Sequence, residues 1–233
     1  MRFGVVIFPG SNCDQDTIHA LEDVLSVETV ALWHADEDLK GADVVIVPGG
    51  FSFGDYLRSG AIAKFSPIMK AVRRHAVQGN LVLGICNGFQ ILQEAGLLPG
   101  VLLRNAGLKF LCQDVHLRIE RSDTSFTRCL KKNQVITLPI AHNDGNFFAQ
   151  PELLAQMEDR GQVILRYCSS DGTLAPESNP NGSLNSIAGI TNEDQNVLGM
   201  MPHPERLVET LLGGTDGLSL FNSVVESLEC IQA

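Results

Sequence analysis

Leu81-Val82-Leu83-Gly84-Ile85-Cys86-Asn87-Gly88-Phe89-Gln90 is the stretch on which the fold turns. Leu81 to Ile85 is a short apolar run, the pattern of a parallel strand buried on both faces. From Asn87 to Ala95 the apolar spacing becomes helical, and Gly96 supplies a C-terminal stop. The junction places a cysteine two residues from a glycine on either side, the pattern of a sharp strand-to-helix elbow. The strained backbone at the centre of such an elbow tolerates only small neighbours at those two positions. Cys86 is therefore expected to project out of the core, into solvent or a pocket, at the start of a helix.

The same alternation extends in both directions. Val5 to Phe8 is an apolar run closed by Pro9-Gly10, and Ile18, Leu21, Val24 and Leu25 follow at helical spacing behind Ser11-Asn12. Val27 to Trp33 and Asp43 to Val47 read as further strands, the second stopping at Pro48-Gly49-Gly50. Ser66-Pro67 opens a helix with Ile68, Ala71, Val72 and Ala76 on one side and Gly79 at its end. Strands and helices in this order predict a mostly parallel sheet covered by helices on both faces.

Beyond the elbow, Val115, Leu117 and Ile119 alternate with polar residues, which predicts a strand with one wet face over Cys112–Glu120. Strands are also expected over Gln134–Ile140 and Val163–Tyr167, with a helix over Pro151–Arg160 between them. The turn-rich stretch Ser169–Ser186 reads as a surface loop. A hairpin of Ile187–Ile190 and Val197–Met201 precedes Pro202-His203-Pro204-Glu205, and an apolar-striped helix covers Leu218–Cys230. Nothing divides the chain, so one domain over residues 1–233 is expected.

With 44% hydrophobic and 19% charged residues among 233, the chain has the composition of a compact domain. Its formal charge of −10 argues against a nucleic-acid partner. The densest basic cluster, Arg73-Arg74 with Lys64 and Lys70, reads as a solvated helix face. Six cysteines without a C-x-x-C pair suit neither a disulfide framework nor a zinc site. Packing roles are expected for Cys13, Cys112, Cys129, Cys168 and Cys230. The apolar start ends at Pro9-Gly10, far short of a membrane span, and a cytoplasmic location with reduced thiols is the expectation.

A nucleophilic cysteine needs a base. An ordinary thiol, with a pKa near ~8.5, is mostly protonated at neutral pH, whereas a helix N-terminus and a nearby imidazole favour the thiolate. Of six histidines, His203 stands out: it follows a strand end, where functional residues gather in such sheets, and Pro202 and Pro204 disfavour helix around it. In an extended segment residues two apart share a side, which brings Glu205 to the imidazole to fix its tautomer. His142 is the second candidate, while His19, His34, His75 and His116 read as surface or face residues. The amide oxygen of an acyl substrate needs donors as charge develops on it. The N–H of Asn87 and a backbone donor from the Gly49-Gly50 loop are the candidates.

With these residues in hand, the chain resembles the class I glutamine amidotransferases over nearly its full length. The resemblance is carried by Pro48-Gly49-Gly50, Gly84-Ile85-Cys86-Asn87-Gly88-Phe89-Gln90 and His203-Pro204-Glu205, in that order. Within them it resembles the glutaminase subunits of phosphoribosylformylglycinamidine synthase. Four further stretches carry this: Val5 to Asp14, Gly50 to Arg58, Asn105 to Arg118, and Ala141-His142-Asn143-Asp144-Gly145-Asn146. The resemblance implies a flavodoxin-like open sheet, Cys86 as nucleophile, His203 as base, Glu205 as its orienter, and Gly50 and Asn87 as oxyanion donors. It also suggests that Gln90 contacts the amino-acid end of glutamine. At position 107 it leads one to expect serine, where this chain has glycine. It further implies that ammonia passes to a synthetase subunit, joined by a small bridging subunit. That synthetase would use ATP and Mg to convert formylglycinamide ribonucleotide to formylglycinamidine ribonucleotide in purine biosynthesis. No G-x-x-x-x-G-K loop occurs in this chain, so the ligase step is expected to lie elsewhere, and this chain is expected to carry no metal or cofactor of its own. Three other readings fit parts of the pattern: an amidotransferase subunit of another pathway, a cysteine hydrolase on the same elbow, and a catalytically silent binding module.

Overall fold

The computed structural model describes residues 1–232. Its first half is built from β1 (Arg2–Ile7), α1 (Asp14–His19), β2 (Glu28–Trp33), β3 (Val44–Val47), α2 (Pro67–Val77), β4 (Leu81–Ile85) and α3 (Asn87–Glu94). There follow β5 (Val101–Leu103), β6 (Leu111–Ile119), β7 (Val135–His142), β8 (Asn146–Phe148), α4 (Pro151–Asp159) and β9 (Val163–Cys168). The chain closes with β10 (Ile187–Thr191), β11 (Val197–Met200) and α5 (Leu218–Gln232).

Nine strands form one open sheet in the order β2-β1-β3-β4-β11-β10-β9-β6-β7. β1, β2, β3, β4 and β11 run parallel, and β10, β9, β6 and β7 extend the sheet antiparallel. β5 and β8 pair apart from it. The sequence explains the layering: every residue of β3 and β4 is buried, whereas β6 buries Val115, Leu117 and Ile119 and leaves Cys112, Gln113 and Asp114 exposed. Apolar runs fill the middle of the parallel half, and alternation marks the half that meets water.

The pairing of β11 with β4 positions the site. Met200 lies opposite Ile85, and the Cys86 N–H donates to the Met200 carbonyl at 2.7 Å. The segment leaving β11 therefore emerges beside the elbow, with the loops after β1 and β3 at the same edge. Carboxyl ends of parallel strands are where such sheets bind ligands.

Several details differ from the sequence-based expectation. α1 begins behind Cys13 rather than Ser11-Asn12, and continues as a π-helical turn over Ala20–Val24. Ser169–Ser186 is no bare surface loop, because Asn181 and Ser183 are buried and donate to the Gly145 carbonyl at 2.8 and 3.1 Å. His75 is buried. Cys112, Cys129 and Cys230 are exposed and do not pack. In the basic cluster Lys70 and Arg74 face Glu37 and Lys64 faces Glu94, while Arg73 donates to the Ala95 carbonyl. Among the described residues no helix is long and apolar enough to cross a membrane.

Among the glycines, the least room for a side chain lies where α3 meets β3. A Cβ at Gly88 would sit 1.8 Å from the Val47 carbonyl oxygen, a backbone atom that has no room to yield. Gly88→Ala is accordingly expected to cost about 3 kcal/mol of stability. Scanning calorimetry should record a melting temperature lower by roughly 6–12 °C; an unchanged melting temperature would mean that the helix is seated elsewhere.

Candidate active site

Cys86 stands between β4 and α3 with φ 50° and ψ −106°, a conformation rarely adopted by a residue with a side chain. The two glycines make it possible. A Cβ at Gly84 would meet Gly88 backbone atoms at 2.9 Å, and Gly88 abuts Val47 as described. Of the two settings expected for the thiol, solvent or a pocket, solvent does not apply. Cys86 is 5% exposed, and its sulfur lies 3.7 Å from the Ala141 carbonyl.

Past the end of β11, His203 is extended and its N–H donates to the Pro139 carbonyl at 2.8 Å. Its Nδ1 lies 2.6 Å from Glu205 Oε1, with both side chains buried. A carboxylate only accepts, so Nδ1 carries the hydrogen and Nε2 is left on the opposite edge of the ring. Burial alone would lower the imidazole pKa. The Glu205 carboxylate, followed by the sulfurs of Cys86 and Cys13, outweighs it and raises the pKa well above 6.5. The ring is thus bonded on one side to a carboxylate, Nε2 on the other side finds no hydrogen-bond partner among the described residues, and Cys86 lies near enough to favour the charged ring.

Gly50 has a φ of 139°, and a Cβ there would strike the Asn12 amide nitrogen at 2.8 Å. Among the described residues its N–H finds no backbone or side-chain acceptor. Asn87 is the first residue of α3, so its N–H has no intrahelical partner. The Asn87 side chain does something the sequence did not reveal. Its Oδ1 accepts the Ser52 N–H at 3.0 Å, and its Nδ2 donates to Gln90 Oε1 at 2.8 Å. The loop after β3 is thereby fastened to the elbow, fixing Gly50 relative to Asn87.

Gln90 is buried and also donates to the Asp144 carbonyl at 2.7 Å. It borders a cavity of about 370 Å³ shared with Arg58, Ser59, Leu102, Leu103 and Asp144. Ser59 donates to Asp144 Oδ2 at 3.0 Å, and nearby Asp55 Oδ1 accepts from Asn87 Nδ2 at 3.2 Å. Desolvation raises Asp55 to about 6, an effect to which Asp144 adds. The signal for these residues lay in the runs Gly50–Arg58 and Ala141–Asn146, but it named no contacts.

His142 does not join His203 and Glu205. Its Nδ1 is 3.0 Å from Asn105 Oδ1, and burial, then the charge of His203, lowers it to about 4. Among the described residues seven buried side-chain polar atoms lack a hydrogen-bond partner. Four of them belong to His142, Asp144, His203 and Glu205, at or just past the ends of β7 and β11. Orphaned polar atoms are rare in a finished core, and their concentration here marks a site built to receive a polar ligand.

Cys13 Sγ, a His203 nitrogen and a Glu205 oxygen all lie within 4.8 Å of one another. A cation among them would have to break the His203–Glu205 bond and displace the Arg206 guanidinium, whose Nη2 donates to the sulfur at 3.0 Å. This donor set does not fit a resident metal.

Residues 1–214 match the family model of the CobB/CobQ-like glutamine amidotransferase domain. The chain belongs to that family. Its relatives include the phosphoribosylformylglycinamidine synthase subunit PurQ of Salinibacter ruber, 56% identical over 100% of this chain and 99% of that protein. The corresponding subunit of Moorella thermoacetica is 57% identical over 97% and 96%. Among solved structures, the amidotransferase is similar to a chain of PurLQS from Thermotoga maritima, with a TM-score of 0.86, 44% identity and coverage of 97% and 98%.

The buried His142 of this amidotransferase has a consequence for acid stability. An unfolded imidazole takes up its proton near 6.5 and the folded one only near about 4. The unfolded state therefore binds more protons between those values, and stability falls as pH drops through that window. In His142→Asn, which keeps a donor for Asn105, thermal melts from pH 7 to 4 (values set by that window) should show a shallower decline than in the unaltered protein. Equal slopes would show that another group governs the acid limb.

Proposed function

We propose that this chain is the glutaminase subunit of phosphoribosylformylglycinamidine synthase and that Cys86, His203 and Glu205 carry its chemistry. One observation bears most of the weight. A buried imidazole is held by Glu205 at 2.6 Å through Nδ1, its Nε2 has no partner among the described residues, and a cysteine on a strained elbow lies near enough to raise its pKa. The full-length identity to PurQ subunits supports the pathway.

In this reading the Cys86 sulfur attacks the side-chain amide carbon of glutamine while His203 Nε2 takes the thiol proton. The oxyanion is met by the N–H groups of Gly50 and Asn87, each worth roughly 3–4 kcal/mol in comparable sites. As the tetrahedral centre collapses, His203 returns the proton to the departing nitrogen and ammonia leaves a glutamyl thioester. Water, deprotonated by the same imidazole, then cleaves the thioester to glutamate and restores the thiol. Glu205 keeps the ring in one tautomer and supports its positive form. Gln90, at the border of the cavity, is assigned to the amino-acid end of glutamine.

The ammonia passes to a synthetase subunit, in a complex that also holds a small bridging subunit, for ATP-dependent conversion of formylglycinamide ribonucleotide to formylglycinamidine ribonucleotide. ATP and Mg are assigned to the synthetase, a view supported by the lack of a phosphate-binding G-x-x-x-x-G-K loop in this sequence. Exposed Tyr56, Leu57 and Leu103 beside the cavity suit a face that a partner covers. We read the chain as one catalytic domain, supported by its single continuous cluster of buried residues, and place it in the cytoplasm.

The test is a complex reconstituted with Cys86→Ala. Glutamine-dependent synthesis should fall by at least about a thousandfold, whereas synthesis fed with free ammonium should persist. Parallel loss of both activities in an assembled complex would refute the ammonia-donor role.

A further inference from the structure

Resting on the triad reading above, we infer that Cys13 is a positioning residue for the known reaction: its sulfur holds the Arg206 guanidinium away from Glu205, leaving that carboxylate to His203. Arg206 directly follows Glu205, so the cation is tethered next to the one carboxylate the base depends on. Its Nε lies 3.9 Å from Glu205 Oε1 and 3.9 Å from Asp16 Oδ2, beyond hydrogen-bond reach of either. Glu205 Oε2 is buried without a partner among the described residues.

A guanidinium facing a carboxylate with a vacant oxygen ordinarily closes into a two-point pair, the strongest geometry available to both groups. Here it does not close. Its Nη2 donates instead to Cys13 Sγ at 3.0 Å, and the half-buried guanidinium has no comparable acceptor among the described residues. Cys13 is held in place from two sides. It is 1% exposed at the start of α1, and its N–H donates to the Gly49 carbonyl at 3.4 Å. Gly49 leaves room for the arrangement, since a Cβ there would lie 3.2 Å from the sulfur and 2.7 Å from His203 Cε1.

Were Arg206 to engage Glu205 at both oxygens, the carboxylate would be drawn from Nδ1 and its charge shared with a permanent cation. His203 would lose its fixed tautomer and much of the support for its protonated form. Glutamine binding, which uses other residues, would be untouched. Loss should therefore fall on kcat with little change in KM.

The experiment measures glutamine-dependent and ammonium-fed synthesis by the reconstituted complex with Cys13→Ala, Cys13→Ser and Cys13→Ala/Arg206→Met. Cys13→Ala should lower the glutamine-dependent kcat roughly tenfold or more, short of the about 10⁴ that follows loss of a triad carboxylate, with KM for glutamine unchanged. Cys13→Ser retains an acceptor for Arg206 and should stay closer to the unaltered enzyme. The double variant, lacking the competing cation, should recover most of the lost kcat, which a merely structural role for Cys13 does not predict. Ammonium-fed synthesis reports assembly in every case. A Cys13→Ala enzyme of normal kcat, a double variant as slow as Cys13→Ala, equal losses in Cys13→Ser and Cys13→Ala, or a raised KM in place of a lowered kcat would each overturn the inference. Failure of the triad reading would look different, since Cys86→Ala would then keep glutamine-dependent synthesis.

Discussion

Everything near the catalytic edge depends on a backbone that turns from strand to helix at Cys86 with a φ of 50°. Such a conformation costs on the order of 1–3 kcal/mol and persists only where its surroundings leave no alternative. Here the surroundings are the Val47 carbonyl against Gly88 and the Gly88 backbone against Gly84. The same kink aims the sulfur toward the segment leaving β11 and frees the Asn87 N–H at the start of α3. One local strain thus supplies the nucleophile's direction and an anion-binding donor together.

The second layer is electrostatic. His203 and Glu205 are buried together, where desolvation of an isolated charge would be severe. Their mutual bond offsets that cost, and the sulfurs of Cys86 and Cys13 add to the preference for a charged imidazole. Arg206 introduces a further cation at the edge of this group, restrained by Cys13. The result is a compact group of charges and sulfurs around one imidazole, whose Nε2 remains available for proton transfer.

Much of this was legible in the residues because it is encoded locally. The glycines of the elbow are two residues from Cys86, Glu205 is two residues from His203, and the strands flanking them are unbroken apolar runs. What escaped notice depends on sheet order. Cys13 meets Arg206 only because β1 and β11 lie on the two sides of the β3–β4 pair, so residues far apart in sequence share one edge. A small hydrophobe was the reasonable expectation for Cys13, and burial is indeed its state, but its sulfur accepts a hydrogen bond from a guanidinium. Asn87 drew attention for its N–H alone, whereas its amide also fastens the Gly50 loop, a contact no spacing rule announces. The contact of the Cys86 thiol with Ala141 was likewise not legible, since it comes from the end of β7, beyond the parallel half of the sheet.

The most direct test of the central claim is to trap the intermediate. The assembled complex would be mixed with glutamine, quenched in acid within its turnover time, digested and analysed by mass spectrometry. The account predicts a glutamyl adduct on the peptide that carries Cys86 and on no other cysteine. Sustained glutamine hydrolysis with Cys86 found only as the free thiol, or with the adduct on another residue, would contradict it.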